Sequence, residues 1–192
     1  MEYVSGGSLH SYLRTKVNRQ MHEAEAKYLF KQAVQAIHYC HARSITHRDI
    51  KLENVLLNEE KNQVRLIDFG FSTCIPNDKK VKLFCGTPYY MAPEIVTKKE
   101  YLGPPADVWA LGVLYYALLC GKFPFKGQND KELYKKICKY TLEFPENISN
   151  SARNFLNRIL MKEAHHRPSA KDILNDHYLE NSDKEYEKFM LE

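Results

Sequence analysis

Residues 47–70 carry side chains that could together transfer a phosphoryl group. The stretch begins His47-Arg48-Asp49-Ile50-Lys51-Leu52-Glu53-Asn54, and Asp68-Phe69-Gly70 follows after an apolar and polar run. Asp49, Asn54 and Asp68 offer the oxygen ligands that Mg²⁺ uses together with substrate phosphates. Lys51 is a compact cation suited to a phosphate oxygen, and a carboxylate beside it can accept a proton from an attacking hydroxyl. A metal ion, a cation and a base are the groups that phosphoryl transfer uses, because that reaction depends on positioning and charge neutralisation.

Three short motifs in order resemble the large lobe of a eukaryotic protein kinase. A catalytic loop of the form H-R-D-x-x-x-x-N lies at 47–54, a D-F-G metal site at 68–70 and an A-P-E motif at 92–94. Each motif alone recurs by chance, but three in order, followed by Asp107 and Arg167, do not. The resemblance covers residues 1–179 and implies a partial kinase domain, followed by a charged tail at 180–192.

The resemblance implies a role for each polar residue of this stretch. Asp49 is the catalytic base, Lys51 contacts the transferring phosphate, and Asn54 and Asp68 hold Mg²⁺. Thr87 lies where serine/threonine kinases place a threonine near the catalytic Asp and Lys, which implies protein substrates with Ser or Thr hydroxyls. The alternative is a pseudoenzyme in which these residues only cap loops and pair ions.

The first residues resemble the hinge between the two lobes of a kinase, where the adenine of ATP binds. Glu2 and Val4 would offer backbone groups to the adenine, and Leu56 would form the apolar floor beneath it. Glu53 and Ile67 complete the predicted cofactor-binding set.

The given sequence begins at this hinge, so the small N-terminal lobe is absent from it. The glycine-rich loop, the lysine that holds the α- and β-phosphates and the acid that fixes that lysine all belong to that lobe. We therefore expect residues 1–192 alone to transfer phosphate poorly, because a misaligned phosphoryl group loses the benefit of orientation. A non-catalytic interaction module that keeps the substrate-docking lobe is the alternative function.

The composition limits the classes of protein to which this chain can belong. The 192 residues, 44% of them hydrophobic, are enough for one sizeable core. A net charge of +4 suits a polyanion such as ATP but is far from the basic footprint of nucleic-acid-binding domains. Five cysteines without regular spacing indicate reduced thiols in a cytoplasmic or nuclear compartment. The start lacks the features of a signal peptide, and the longest apolar run, 108–120, is too short to span a bilayer.

Hydrophobic periodicity predicts mostly helices with a few short strands. The resemblance implies that these elements form a mainly α, kinase-like fold, the helical C-terminal lobe of a kinase with a small β ribbon at the nucleotide face. The run at 107–120 is apolar on every side, which is typical of a buried central helix. The charged tail should fray or form a short exposed helix. The predicted elements are helices from residue 9 and at 21–42, 107–120, 130–139 and 149–161, a capping box at 169–172, and strands at 55–57 and 64–67.

The resemblance also implies structural contacts and some departures. Asp107 would bond the backbone of the catalytic loop, and Arg167 would pair with Glu94. Leu83 stands where many relatives carry a phosphorylatable threonine, so we expect activity that does not depend on phosphate there. Ser8 stands where relatives that select basic substrates often have Glu, which leaves Glu53 as one contact for an arginine. The stretch 101–125, which includes Gly103-Pro104-Pro105-Ala106-Asp107-Val108-Trp109, is most similar to the calcium/calmodulin-dependent and AMP-activated group.

Overall fold

The computed structural model describes residues 4–139 and 141–191. Within those residues the fold is mainly helical, as the sequence predicts, and it has two small antiparallel ribbons, of which the sequence predicts one. The helices are α1 (Leu9–Thr15), α2 (Glu23–His41), α3 (Pro93–Val96), α4 (Gly103–Cys120), α5 (Asp130–Lys139), α6 (Asn150–Ile159), α7 (Ala170–Leu174), α8 (His177–Glu180) and α9 (Ser182–Leu191). The strands are β1 (Ile45–Thr46), β2 (Val55–Leu57), β3 (Val64–Leu66) and β4 (Thr73–Cys74).

Helix α4 is the centre of the hydrophobic core. Its side chains are buried on every face, including those of Trp109 and Tyr115, which confirms the prediction from the apolar run. Gly112 lets α6 approach closely, because a Cβ at this position would lie 2.7 Å from the side chain of Ile159. No helix among residues 4–139 and 141–191 is long and apolar enough to cross a membrane.

The start of α4 differs from the prediction. The helix begins at Gly103 rather than at Asp107, and Pro104 and Pro105 lie in its first turn. Proline is tolerated there because the first N–H groups of a helix have no partner within it. Asp107 therefore lies inside the helix, where its backbone is fixed and its side chain is 1% exposed.

Helix α2 lies beside α4 and also supports the C-terminal tail. The tail forms α9, and its aromatic rings stack on Tyr28 of α2 and on His22, which directly precedes α2. Tyr186 lies 4.1 Å from Tyr28 and Phe189 lies 4.6 Å from His22, measured between ring centroids. The sequence predicts fraying or a short exposed helix. The tail does form a short helix, most of whose residues are exposed, and one face of it packs on α2. The two aromatic residues lie three positions apart and so share one side of the helix.

Two antiparallel ribbons flank the catalytic loop. In the predicted ribbon, Val55 pairs with Leu66 across β2 and β3. In the other, Ile45 pairs with Cys74 across β1 and β4. The second ribbon was not predicted, since strands of two residues are too short to show a period. Together the ribbons hold the chain before and after residues 47–54.

Candidate active site

The carboxylate of Asp49 is the centre of a hydrogen-bonded cluster between β1 and β2. Lys51 Nζ lies 2.6 Å from Asp49 Oδ2 and 3.3 Å from Thr87 Oγ1. Asn54 Nδ2 donates to Asp49 Oδ2 at 3.1 Å and to the Asp49 carbonyl at 2.9 Å. Thr87 Oγ1 lies 2.8 Å from Asp49 Oδ1, although 38 positions separate the two residues. The structure therefore brings the three predicted catalytic residues together with the predicted metal ligand Asn54.

The environment of Asp49 keeps its carboxylate ionised. Burial by itself raises the pKa of this carboxyl group, but the hydrogen bonds from Lys51 and Thr87 lower it, and the pKa lies below its usual value. An ionised carboxylate accepts about four hydrogen bonds. Side chains donate two bonds to Oδ2 and one to Oδ1. Oδ1 therefore retains an open acceptor position.

Asp107 of α4 fixes the backbone that carries this cluster. Its Oδ2 accepts from the His47 N–H at 2.9 Å, and its Oδ1 accepts from the Arg48 N–H at 2.8 Å. The ring nitrogen Nε2 of His41 lies 2.9 Å from the same Oδ2. Arg48 has a φ of 66°, in the left-handed region that non-glycine residues rarely adopt. Asp107 thus stabilises an unfavourable backbone, and its predicted contact with the loop is confirmed.

The segment with Asp68 is connected to the catalytic loop through Ile67. The Ile67 N–H donates to the Asn54 carbonyl at 2.9 Å, and the Ile67 carbonyl lies 3.0 Å from His47 Nε2. Asp68 has a φ of 63°, and its Oδ1 accepts from the Gly70 N–H at 3.2 Å. The two predicted metal ligands, Asn54 and Asp68, therefore lie on segments that are bonded to each other.

This donor set fits Mg²⁺ that is shared with a phosphate. Over 4–139 and 141–191 there is no group of three or more His, Cys, Asp or Glu side chains that could hold a metal. Asn54 uses its amide nitrogen for Asp49, which leaves its oxygen for a cation. Asp68 is exposed and has a second oxygen besides the one that binds Gly70. Mg²⁺ commonly takes one or two protein carboxylates and completes its shell with phosphates and water, and one carboxylate from Asp68 with one amide oxygen from Asn54 fits that pattern.

The predicted adenine floor lies against the segment that follows Val4. Leu56 and Val4 are both half-buried. Ser8 pairs with Leu56 in an isolated antiparallel bridge, and the Leu57 N–H donates to the Gly7 carbonyl at 2.9 Å. The chain after the predicted hinge is therefore attached to β2, and Leu56 is held beside it.

The other predicted nucleotide contacts differ in their placement. Ile67 is half-buried, and both of its backbone polar groups bind the catalytic loop. Glu53 is exposed in the short 3₁₀ turn Leu52–Asn54. Glu2 lies outside the described residues and stays a prediction.

Sequence reasoning did not find the contact made by Tyr90. Its hydroxyl oxygen accepts from the Leu52 N–H at 3.2 Å, and burial raises the pKa of this hydroxyl. The contact joins the chain after Thr87 to the catalytic loop. No local signal in the sequence could have found it, because the two residues lie 38 positions apart.

Arg48 and Leu83 are the two positions at which the sequence predicts a departure from phosphate-dependent relatives. Arg48 Nε donates to the Phe71 carbonyl at 2.5 Å, while its Nη1 is buried without a hydrogen-bond partner. Leu83 is 47% exposed, and its carbonyl accepts from the Tyr101 hydroxyl at 3.0 Å. In the part of the chain that the structure describes, no carboxylate forms an ion pair with Arg48.

Glu94 and Arg167 form the predicted ion pair beneath this site. The guanidinium binds both carboxylate oxygens, at 2.7 and 2.8 Å. Side-chain exposure is 0% for Arg167 and 12% for Glu94. The remaining bonds of the guanidinium go to backbone carbonyls, those of Pro105, Met161 and Lys162.

Comparison with known families agrees with this geometry. The family model described as the protein kinase domain matches residues 1–179. The chain belongs to the protein kinase family.

Several curated proteins are similar to the chain. It is 42% identical over 160 residues to the mitosis inducer protein kinase cdr1 of Schizosaccharomyces pombe, covering 83% of this chain and 27% of that protein. It is 41% identical over 175 residues to the human NUAK family SNF1-like kinase 1, covering 91% and 26%. It is 39% identical over 174 residues to the probable serine/threonine-protein kinase HSL1 of Saccharomyces cerevisiae, covering 91% and 11%.

These relatives confirm the predicted likeness to the AMP-activated group, since a SNF1-like kinase is among them. They also show that the chain spans about a quarter or less of the length of each.

Proposed function

We propose that the full-length protein that contains this chain is a serine/threonine protein kinase, which transfers the γ-phosphate of ATP to hydroxyls of protein substrates. The observation that carries this proposal is the cluster around Asp49. An ionised carboxylate with an open acceptor position lies beside Lys51 and Thr87. That arrangement suits a hydroxyl acceptor and an anionic group in transfer.

Each residue of the cluster has a role in the proposed reaction. Asp49 orients the acceptor hydroxyl through Oδ1 and takes its proton as the hydroxyl oxygen bonds to the γ-phosphorus and ADP leaves. Lys51 stabilises the negative charge of the transferred group while it stays bonded to Asp49. Asn54 and Asp68 hold Mg²⁺, which neutralises charge on the phosphates when it is bound.

The nucleotide would lie on the side of the loop that faces Leu56. Leu56 provides an apolar surface for the adenine, and the backbone at Glu2 and Val4 provides its hydrogen bonds. Ile67 and Glu53 complete the proposed nucleotide contacts. Residues 1–192 alone should transfer phosphate poorly, because the groups that cover the phosphates from above belong to the other lobe of a kinase.

The test is phosphate transfer from MgATP by the full-length protein to matched peptides with Ser, Thr or Tyr as acceptor. We expect transfer to Ser and Thr, and Asp49→Asn should lower the rate by roughly 10²-fold or more while nucleotide affinity stays near normal. Asp130→Asn makes the same chemical change at an exposed position on α5 and should leave the rate unchanged. Unchanged transfer by the Asp49 variant, or transfer to Tyr alone, would contradict the proposal.

A further inference from the structure

A cavity of about 160 Å³ lies beside the catalytic loop, on the side of α1. Leu52, the residue after Lys51, forms part of its wall, and Phe123 forms another part. The ring of Phe123 stacks on Tyr89 at 4.9 Å and meets Tyr90 edge-on at 5.3 Å, between centroids. Since Tyr90 binds the Leu52 N–H, this cavity adjoins the place where an acceptor hydroxyl would meet Asp49.

The lining of this cavity is strongly basic. It contains four permanently charged cations and one histidine but no Asp or Glu, and the four are Arg14, Arg19, Lys122 and Lys126. All four are exposed, and none has a hydrogen bond or ion pair from its side chain to another residue within 4–139 and 141–191. Glu53 follows Leu52 in the chain but does not line the cavity. Four cations therefore converge here without a counter-charge in the lining.

The fold gathers these cations from distant parts of the chain. Gly121 ends α4 with a φ of 65°, and a Cβ there would lie 2.4 Å from the Asn18 carbonyl oxygen. The adjoining Met21 N–H donates to the Leu118 carbonyl at 2.9 Å. The turn that carries Arg19 is thus packed against the end of α4, next to Lys122. Like charges held close together repel one another, and a bound anion would relieve that repulsion.

The cavity continues into a second one. Lys122, Phe123 and Lys126 line both the first cavity and a neighbouring cavity of about 350 Å³. The two together form a continuous surface with cations and aromatic groups along it, and Glu143, which lines the second cavity, is the one acidic residue among the described residues of that surface. Such a surface suits an extended peptide rather than a single small ion.

We propose that this basic cavity binds an acidic segment of the substrate, with Asp or Glu side chains close to the phosphorylated Ser or Thr. The proposal rests on the proposed kinase function and names its substrate class. The planar guanidinium groups of Arg14 and Arg19 can bind a carboxylate through two parallel hydrogen bonds. Leu13 and Ala117 add an apolar base against which the peptide backbone can pack.

The test compares three peptides that share one acceptor serine and differ only in flanking residues, which are Glu, Ala or Arg. With the full-length kinase we expect the Glu peptide to have the highest kcat/KM, mainly through a lower KM, and this advantage should shrink at high salt. The double variant Arg14→Glu with Arg19→Glu should lower kcat/KM for the Glu peptide by roughly 2- to 30-fold. The loss of kcat/KM should be smaller for the Ala peptide, and kcat/KM for the Arg peptide should rise.

A control with the same change in net charge separates local recognition from general attraction. Lys184→Glu with Lys188→Glu changes two exposed residues of α9 and should not alter the preference among the peptides. Equal use of all three peptides, or equal losses in both double variants, would overturn this inference.

Binding of the labelled peptides, followed by fluorescence anisotropy, gives a readout that does not need phosphate transfer. Tighter binding of the Glu peptide that is lost only in the Arg14 and Arg19 variant supports the inference, even where no peptide is phosphorylated. If the Glu peptide binds in this way but no peptide is phosphorylated, the proposed kinase function fails while the inference about binding stands.

Discussion

Two carboxylate–cation pairs of similar length have different surroundings. Asp49 and Lys51 are 2.6 Å apart, and the lysine side chain is 22% exposed. Glu94 and Arg167 are 2.7 Å apart, and the arginine side chain is 0% exposed. The buried guanidinium uses its donors on one carboxylate and three carbonyls. Lys51 and Oδ1 of Asp49 keep capacity for further partners.

The difference shows how one kind of ion pair can have two purposes. Where every donor is used and water is excluded, removal of one partner leaves a buried charge uncompensated, so the pair holds the structure together. Where donors and acceptors remain available, the pair can bind a substrate and respond to it. Substitutions on each side should therefore act on different measurements.

The largest effect on stability is expected from Arg167→Ala. The loss of a buried ionic partner typically costs about 3–5 kcal/mol, because Glu94 and three carbonyls lose their donor. At about 2–4 °C per kcal/mol for a domain of this size, the unfolding midpoint of this domain in the full-length protein should fall by roughly 6–20 °C. Calorimetry measures this fall directly.

Arg158→Ala is the matched control for that measurement. Arg158 pairs with Asp176 at 2.6 Å, but its side chain is 50% exposed. Exposed pairs contribute about 0–1 kcal/mol, so the midpoint should move little. Equal shifts in the two variants would show that burial does not distinguish the pairs.

A smaller loss of stability is expected from Asp107→Asn. The carboxylate accepts two backbone N–H groups with its two oxygens, whereas an amide has one oxygen and would turn a donor toward one of them. Hydrogen bonds to charged groups contribute about 1.5–3 kcal/mol, and denaturant unfolding should show a loss of that size. The rate of phosphate transfer should also fall, because the backbone before Asp49 is released. A variant with native stability and native rate would contradict the role of Asp107.

The smallest change is expected in the pH dependence set by Asp49. Its pKa is lowered in the folded protein, so its ionised form stabilises the fold at pH values above the pKa of the unfolded chain, about 3.9. That stabilisation is lost as the pH falls through the lower folded-state pKa. Lys51→Met removes a hydrogen bond that lowers this pKa and leaves the burial that raises it. The acid limb of kcat/KM for the remaining activity should therefore move to higher pH.

Lys31→Met is the control for the pH profile. Lys31 pairs with Asp183 at 2.5 Å, and that carboxylate is 56% exposed. Loss of the Lys31 ammonium group should leave the acid limb of kcat/KM at the same pH. An acid limb that does not move in the Lys51 variant would mean that the lysine does not control the ionisation of Asp49.

The sequence by itself determined the parts of this protein that depend on short spacings. Asp49, Lys51 and Asn54 lie within one loop of a recognisable motif, so their chemistry and proximity could be predicted together. Helices α2, α5 and α6 were predicted to within a few residues, because their apolar positions recur with the helical period. The Ser169 capping box was confirmed for the same reason, since its partners lie three positions apart.

Only the tertiary structure decided the contacts between distant residues. The pairing of β1 with β4 and the bond from Leu52 to Tyr90 have no local signal. The packing of α9 on α2 and the basic cavity beside Gly121 also arise only when separate helices meet. Local periodicity shows which face of an element is apolar, but not which other element covers it. That choice depends on how all the buried faces pack together at once.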